Sequence, residues 1–173
     1  MSAAGILAID PGLTTGWACL TPQYGLRYGW FRLSAKDLGA RAEAYQDKIA
    51  LIMRAPPRFR YVVMEDGSHA WRSSAQRVLG GGMQWEIALQ ARANEAELLL
   101  YHPPTWKRVC GLRGAQKPTE LFADWGVPDP GTGDVHDAVA LILTAMVEEL
   151  GMDPKDALRD LECAARRSRD AKD

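Results

Sequence analysis

The chain has 173 residues and a formal net charge of −1, which is enough length for one domain with a proper core. A near-neutral balance gives no sign of general affinity for nucleic acid, because phosphate contacts need Lys and Arg. No apolar run is long enough to span a bilayer, and the first residues lack the regions of a signal peptide. We therefore expect a cytoplasmic protein with no membrane partner, whose three widely spaced cysteines are reduced thiols.

Turn signals in the first third of the chain separate three short runs that are apolar or alternating. They predict an antiparallel meander of strands at residues 5–9, 16–20 and 26–33. A helix should follow, because apolar residues recur at helical spacing from Leu38 to Met53. Ser34 is its expected N-cap, and the Pro56-Pro57 pair ends it.

The rest of the chain predicts alternating strands and helices. A strand at 61–64 is apolar throughout and should be central, and another is expected at 97–102. Between them Ser73 or Ser74 caps a helix. We expect a break, hinge or close approach at Gly80-Gly81-Gly82, because each Gly in a helix costs roughly 1 kcal/mol against Ala. Further helices are predicted at residues 117–125 and 135–150, followed by a charged helical tail at residues 154–173.

Carboxylates stand where three of these apolar elements end or begin. Asp10 follows the first strand, Glu65 follows the fourth strand, and Asp134 and Asp137 share one face at the start of a buried helix. Each has an ordinary explanation alone: Asp-Pro-Gly is a common turn, and the helix pair would serve as N-cap and dipole compensation. Four like charges from distant segments would repel without a cation, however. Hard oxygen ligands suit Mg²⁺, with Mn²⁺ as a substitute, and two such ions promote phosphodiester hydrolysis.

Basic and aromatic residues supply candidate contacts to a nucleic acid. Residues 103–118 contain no acidic side chain and carry Lys107, Arg108, Arg113 and Lys117. Such charge runs usually form solvated faces, so this segment indicates nucleic-acid binding only in combination with the four carboxylates. Trp71 and Arg72, in the loop after the fourth strand, are candidates to stack on and hold a nucleotide.

The order of elements resembles the ribonuclease H-like fold, an α/β fold. Its central mixed five-stranded sheet has three antiparallel meander strands and two parallel strands, flanked by helices. Three motifs resemble those of the RuvC family of Holliday junction resolvases: Ile9-Asp10-Pro11-Gly12, Val63-Met64-Glu65 and Asp134-Val135-His136-Asp137-Ala138-Val139-Ala140. The small size and the divergence of the sequence resemble those of a phage-type member of the family. Residues 106–117 also resemble the family's Val-Lys…Gly…Lys segment. The likeness covers residues 5–150, so we expect a nuclease domain at residues 1–153 and a tail at 154–173.

The resemblance implies a crossover junction endodeoxyribonuclease of DNA recombination and repair, in a bacterium or a phage-infected cell. It would be a homodimer that nicks a four-way DNA junction symmetrically through a metal-activated water. Position by position, the metal ligands are Asp10, Glu65, Asp134 and Asp137. Lys107 and Lys117 match DNA-contacting positions, with Lys117 supporting catalysis, and Arg108 and Arg113 extend that surface. The family's aromatic wedge has Trp71 as its candidate here.

Other functions remain open at this point. A YqgF-like RNA-processing nuclease, or one acting on flaps and forks, would keep the same fold and acidic set. An actin-like ATP-binding phosphotransferase also carries Gly and Thr after a first-strand Asp, but it needs two such domains and this chain is too short. A non-catalytic junction-binding module would have no reason to keep four carboxylates facing phosphate.

Two further features have two interpretations each. His136 lies about 100° from Asp137 around the helix and is expected to point away from the metals, although His also serves as a ligand or proton carrier. Met83, Ile87 and Leu89 would form either a dimer face or the packing of their helix on the sheet.

Overall fold

The computed structural model describes residues 5–55, 58–67, 73–128 and 133–170, and the predicted contacts Trp71 and Arg72 lie outside these residues. Within them the strands are β1 (Gly5–Asp10), β2 (Thr14–Thr21), β3 (Gly25–Arg32), β4 (Phe59–Glu65) and β5 (Glu97–Tyr101). The helices are α1 (Leu38–Arg54), α2 (Ser74–Ala93), α3 (Pro103–Val109), α4 (Thr119–Ala123), α5 (Asp134–Glu148) and α6 (Pro154–Asp170). No helix in the described part of the chain is both long enough and apolar enough to span a membrane.

The five strands form one mixed sheet in the order β3-β2-β1-β4-β5. β1, β2 and β3 pair antiparallel, whereas β1, β4 and β5 run parallel. This arrangement confirms the predicted fold class. Because β1 and β4 are parallel neighbours with Ile9 opposite Met64, their carboxyl ends meet at one edge of the sheet. The fold therefore places Asp10 beside Glu65, about one strand spacing of 4.8 Å apart in the backbone.

The two faces of the sheet have separate apolar cores. α1 and α2 cover one face, where Leu7 and Ile9 of β1 meet Tyr45 and Ile87. α5 and α6 cover the other face, where the alternate residues of β1 point. α5 is the most deeply buried helix of the two layers: from residue 135 to residue 146, every residue except Asp137 is buried. An apolar helix of this kind is what the sequence predicted.

α6 packs against the domain instead of projecting from it. Its residues Ala157, Leu161 and Ala164 are buried in the same core as α5. The helix crosses β3 so closely that a Cβ atom on Gly25 would lie 2.7 Å from the Ala164 carbonyl oxygen. The α6 residues therefore complete one face of the sheet.

The expected interruption of α2 at Gly80-Gly81-Gly82 is wrong. α2 continues without a break from Ser74 to Ala93. A Cβ atom at Gly82 would meet nothing within 4 Å, so no close approach requires glycine at that position. A capping box joins the Ser73 hydroxyl to the backbone N–H of Gln76 at one end of the helix. Burial of Met83 and Ile87 on the sheet then outweighs the low helix propensity of the glycines.

Two helix starts also differ from the sequence expectation. Asp37, not Ser34, caps α1, and its Oδ1 accepts a hydrogen bond of 3.0 Å from the backbone N–H of Ala40. The N-cap of α5 is Gly133, with φ of 83°, and no side chain makes the capping hydrogen bond. The two aspartates at the start of α5 are thus not used as N-caps, which removes one ordinary explanation for them.

Candidate active site

The four predicted carboxylates converge at the edge of the sheet where β1 and β4 end. Asp10 closes β1, Glu65 closes β4, and α5 brings Asp134 and Asp137 in its first turn. Burial raises the pKa of Asp10 well above 3.8. Three neighbouring carboxylates raise that pKa further, in decreasing order Asp137, Glu65 and Asp134. The structure therefore brings together residues that are far apart in the sequence.

Gly16 explains how α5 approaches the strand end so closely. Gly16 pairs with Asp10 across β1 and β2. A Cβ atom built on Gly16 would lie 2.2 Å from the backbone carbon and oxygen of Asp134, and 2.6 Å from the Val135 nitrogen. Real Cβ atoms essentially never come so near to backbone atoms, so the start of α5 lies directly on β2 only because this position has no side chain. Sequence reasoning missed Gly16, because an isolated Gly in a strand signals close approach without naming what approaches.

The turn below Asp10 is closed by hydrogen bonds from a buried threonine. The Thr15 hydroxyl donates to the carbonyl oxygen of Gly12 at 2.7 Å and accepts from the Gly12 N–H at 3.3 Å. Thr15 is buried on the α1 side of the sheet, where the Tyr45 hydroxyl is its neighbour. These contacts hold the chain reversal that positions the Asp10 carboxylate.

The pKa values of Asp137 and Glu65 are also raised by their surroundings. Burial, together with the charge of Glu65, raises the pKa of Asp137 to about 7, and Lys117 opposes that rise. Burial also raises the pKa of Glu65, and a hydrogen bond from Trp106 and the charge of Lys107 limit that rise. Carboxyl groups that resist ionisation in this way are a mark of functional sites, because a folded protein otherwise avoids facing like charges.

Trp106 is a site residue that the sequence did not reveal. Its indole Nε1–H donates to Glu65 Oε2 at 2.9 Å, and the ring is 3% exposed. On the other side of the same strand end, the Gln84 amide donates to the Glu65 backbone oxygen at 3.1 Å. The indole bond fixes the direction of the carboxylate, and the amide bond holds the backbone at the end of the strand. The available signal was the position of Trp106 directly before Lys107 in a basic segment, where an aromatic residue suggests stacking rather than a bond to an acid.

The predicted basic residues divide into two groups. Lys107 lies within electrostatic reach of Glu65 and Asp137, and Lys117 within reach of Asp137. The Lys107 ammonium donates to the Gly114 carbonyl oxygen at 3.0 Å and stands over the Trp106 ring. The other two cations are more distant. Arg108 forms an exposed ion pair with Glu148 at 3.4 Å, and Arg113 lies with it along an open cavity of about 590 Å³ beside α3.

His136 belongs to the core and does not join the acidic edge. Its ring is buried and stacks on Phe122, with the two planes 9° apart and the centroids 6.3 Å apart. The expectation that it points away from the carboxylates agrees with this packing. His102, after β5, instead faces Asp66 with 3.6 Å between Nδ1 and Oδ2, so it pairs with the acid next to Glu65.

The four carboxylates have the chemistry that a hard divalent cation requires, but their side chains are not oriented to surround one. All four candidate ligands are carboxylates, and Asp137 Oδ1 is buried without a hydrogen-bond donor among the described residues. No three acidic, histidine or cysteine side chains in the described ranges stand close enough to hold an ion as they are oriented. Binding Mg²⁺ or Mn²⁺ would therefore require these side chains to turn toward one another.

Comparison with known proteins identifies the architecture. No family model and no curated protein matches the sequence. Among solved structures, T. thermophilus RuvC in complex with a Holliday junction substrate matches with a TM-score of 0.64 and 17% identity, covering 86% of this chain and 96% of that one. A second Thermus thermophilus RuvC structure matches with a TM-score of 0.64 and 18% identity, covering 85% and 96%. The chain has the RuvC fold. Identities this low establish the fold alone.

Proposed function

We propose that this protein is a metal-dependent endonuclease that cleaves phosphodiester bonds at four-way DNA junctions. The observation that carries the proposal is the meeting of four carboxylates from β1, β4 and α5 at one edge of a RuvC-like sheet, with Lys107 and Lys117 beside them. Such an acidic edge would repel a phosphate backbone unless cations were present. The solved structure of T. thermophilus RuvC with a Holliday junction substrate supports branched DNA as the partner.

Each residue of the site has a role in this proposal. Asp10, Glu65, Asp134 and Asp137 would hold Mg²⁺ or Mn²⁺, which when bound supplies the positive charge that activates the attacking water and stabilises the leaving oxygen. Trp106 keeps one Glu65 oxygen occupied, and the other accepts no hydrogen bond from the residues that the structure describes. Lys107 and Lys117 would hold the scissile phosphate against the acidic edge, as point charges that need no fixed geometry.

Cleavage of synthetic substrates tests the proposal directly. The wild-type protein is incubated with an end-labelled four-way junction, a replication fork, a flap and a structured RNA, in Mg²⁺, in Mn²⁺ and in EDTA. We expect paired cuts in the junction that depend on the metal and are lost in Asp10→Asn. Preference for the fork, the flap or the RNA would keep the assigned metal site but change the proposed substrate. Cleavage that survives Asp10→Asn would refute the assigned site.

The lysines can be tested separately from the carboxylates. Lys107→Ala and Lys117→Ala should each weaken junction binding and lower the slope of log affinity against log salt by about one. Lys48→Ala is the matched control, because Lys48 is exposed on α1, across the sheet from α5. Equal slopes for all three variants and the wild type would show that neither site lysine contacts phosphate.

We also infer that the protein acts as a homodimer through the outer face of α2. Val78, Trp85 and Leu89 repeat at helical spacing with Gly82 between them, and the three side chains are exposed by 61%, 68% and 46%. The opposite face of α2 buries Met83 and Ile87 on the sheet. Of the three residues that sequence offered for a dimer face, only Leu89 is therefore available.

An apolar stripe of this kind on a helix suits a second copy, since a symmetric pair of active sites would allow paired cuts in a junction. Trp85→Glu should convert a dimer into a monomer in light scattering behind gel filtration. Leu150→Glu introduces the same carboxylate at an exposed apolar position just after α5 and should leave the mass unchanged. A wild-type monomer at working concentrations would rule out this interface.

A further inference from the structure

An exposed tryptophan stands on the side of the acidic edge that faces away from Lys107. Trp30, on the edge strand β3, is 51% exposed. It lies in one row with two residues of the site, because Asp10 pairs with Gly16 and Gly16 pairs with Trp30. Residues directly paired in this way point to the same face of a sheet. Trp30 thus shares the α5 face with Asp10, about two strand spacings or 10 Å from it.

Arg32 extends the same feature toward the end of the sheet where the carboxylates meet. It is two residues beyond Trp30 and pairs with Thr14, so the two side chains occupy one face in succession. Its exposed guanidinium forms no ion pair or hydrogen bond with any residue in the described ranges. Trp30 and Arg32 together are called the β3 patch.

Arg27 and Arg108 are two nearby arginines that are already engaged. Arg27, on the same strand, pairs with Cys19, which lies in the α1 core, so it points to the opposite face. Its guanidinium stacks on Tyr24 at 4.5 Å. Arg108, on the other side of the acidic edge, pairs with Glu148. The free charge of Arg32 therefore distinguishes the β3 patch from an ordinary solvated strand.

We propose that the β3 patch binds an unpaired nucleotide of the cleaved DNA strand, with Trp30 stacked on the base and Arg32 on the adjacent phosphate. The strand order places β4 on one side of Asp10, and β2 and β3 on the other. Lys107 lies within electrostatic reach of Glu65, at the end of β4. The DNA strand would thus be held on both sides of the acidic edge. This inference rests on the proposed function and adds the second half of its substrate contact.

The chemistry of the β3 patch favours nucleic acid over a second copy of the chain. A two-fold contact would place the patch against itself and bring two Arg32 guanidinium groups together. An aromatic ring beside a free cation instead matches a nucleotide, which offers a flat base and a negative phosphate.

Binding of a labelled four-way junction, measured by fluorescence anisotropy from 50 to 200 mM salt, tests the β3 patch. Ca²⁺ is present throughout, because it takes the same oxygen ligands as Mg²⁺ with a less strict geometry. Loss of one stacked base should weaken binding roughly tenfold in Trp30→Ala, whereas Trp30→Phe keeps the ring and should remain within about twofold. Arg32→Gln should lower the salt slope by about one. Arg27→Gln makes the same charge change on the opposite face of the strand and should bind as the wild type does.

The outcomes separate this inference from the proposed function. If Trp30→Ala and Arg32→Gln bind like the wild type while Lys107→Ala binds more weakly, the β3 patch is not a DNA contact and the nuclease proposal stands. A changed molar mass of Trp30→Ala with unchanged DNA affinity would assign the patch to a protein interface and overturn the inference. If the wild type binds no junction, the proposed function fails and the inference fails with it.

Discussion

Replacing Asp137 with Asn should stabilise the metal-free protein at alkaline pH. The pKa of Asp137 is raised from 3.8 to about 7, so the folded state holds a proton that the unfolded chain releases at lower pH. The stability contributed by that proton is present below pH 4 and is lost as pH rises through 7. A difference of about three pH units corresponds to an upper bound of about 4 kcal/mol at about 1.4 kcal/mol each. Partial exposure of the carboxyl group to water reduces this to roughly 2 kcal/mol.

Differential scanning calorimetry in EDTA provides the measurement. At pH 8 the melting temperature of Asp137→Asn should exceed that of the wild type by about 4–8 °C, because 1 kcal/mol corresponds to about 2–4 °C in a domain of this size. The gain should be small at pH 5. Adding Mg²⁺ should raise the melting temperature of the wild type more than that of the variant. Asp47→Asn, on the exposed face of α1, is the control. A shift that is absent at pH 8, or equal at both pH values, would refute the electrostatic reasoning.

Two further substitutions probe residues that hold the site together. Gly16→Ala should push the start of α5 away from β2, destabilise the protein by about 1–3 kcal/mol in urea titrations, and lower junction cleavage about 100-fold by displacing Asp134; unchanged cleavage would show that α5 can yield without loss. Trp106→Phe removes a hydrogen bond that lowers the pKa of Glu65, so the acid limb of the pH–rate profile should move to higher pH, and an unmoved limb would mean that this bond does not tune the carboxylate.

The strands and the acidic residues were predictable because their signals are local. A short apolar run that ends in a carboxylate identifies both the strand and its functional end, as Asp10 and Glu65 show. Periodicity alone does not give the order of the strands in the sheet, because the sequence of a strand does not specify which other strand pairs with it. The resemblance of the whole motif series predicted a mixed sheet of three antiparallel and two parallel strands, and the structure supplies the order β3-β2-β1-β4-β5.

What the sequence did not show depends on contacts between distant segments. The indole of Trp106 meets Glu65 across 41 positions of sequence, and nothing near either residue specifies the bond. Alternation along a strand puts Trp30 and Arg32 on one face, but only the register Gly16↔Trp30 relates that face to Asp10. The glycines of α2 show the opposite relation. They are a strong local signal for an interrupted helix, but burial of Met83 and Ile87 on the sheet keeps the helix continuous.

The close contact between Gly16 and the start of α5 also has a consequence for protein synthesis. Asp10 and Glu65 leave the ribosome early, whereas Asp134 and Asp137 arrive on a helix near the end of the domain. Until that helix settles on the bare backbone of Gly16, half of the acidic set is missing. If the proposed function holds, an incomplete chain would thus lack nuclease activity. The bare backbone of Gly16 therefore links the assembly of the acidic edge to the docking of α5 on β2.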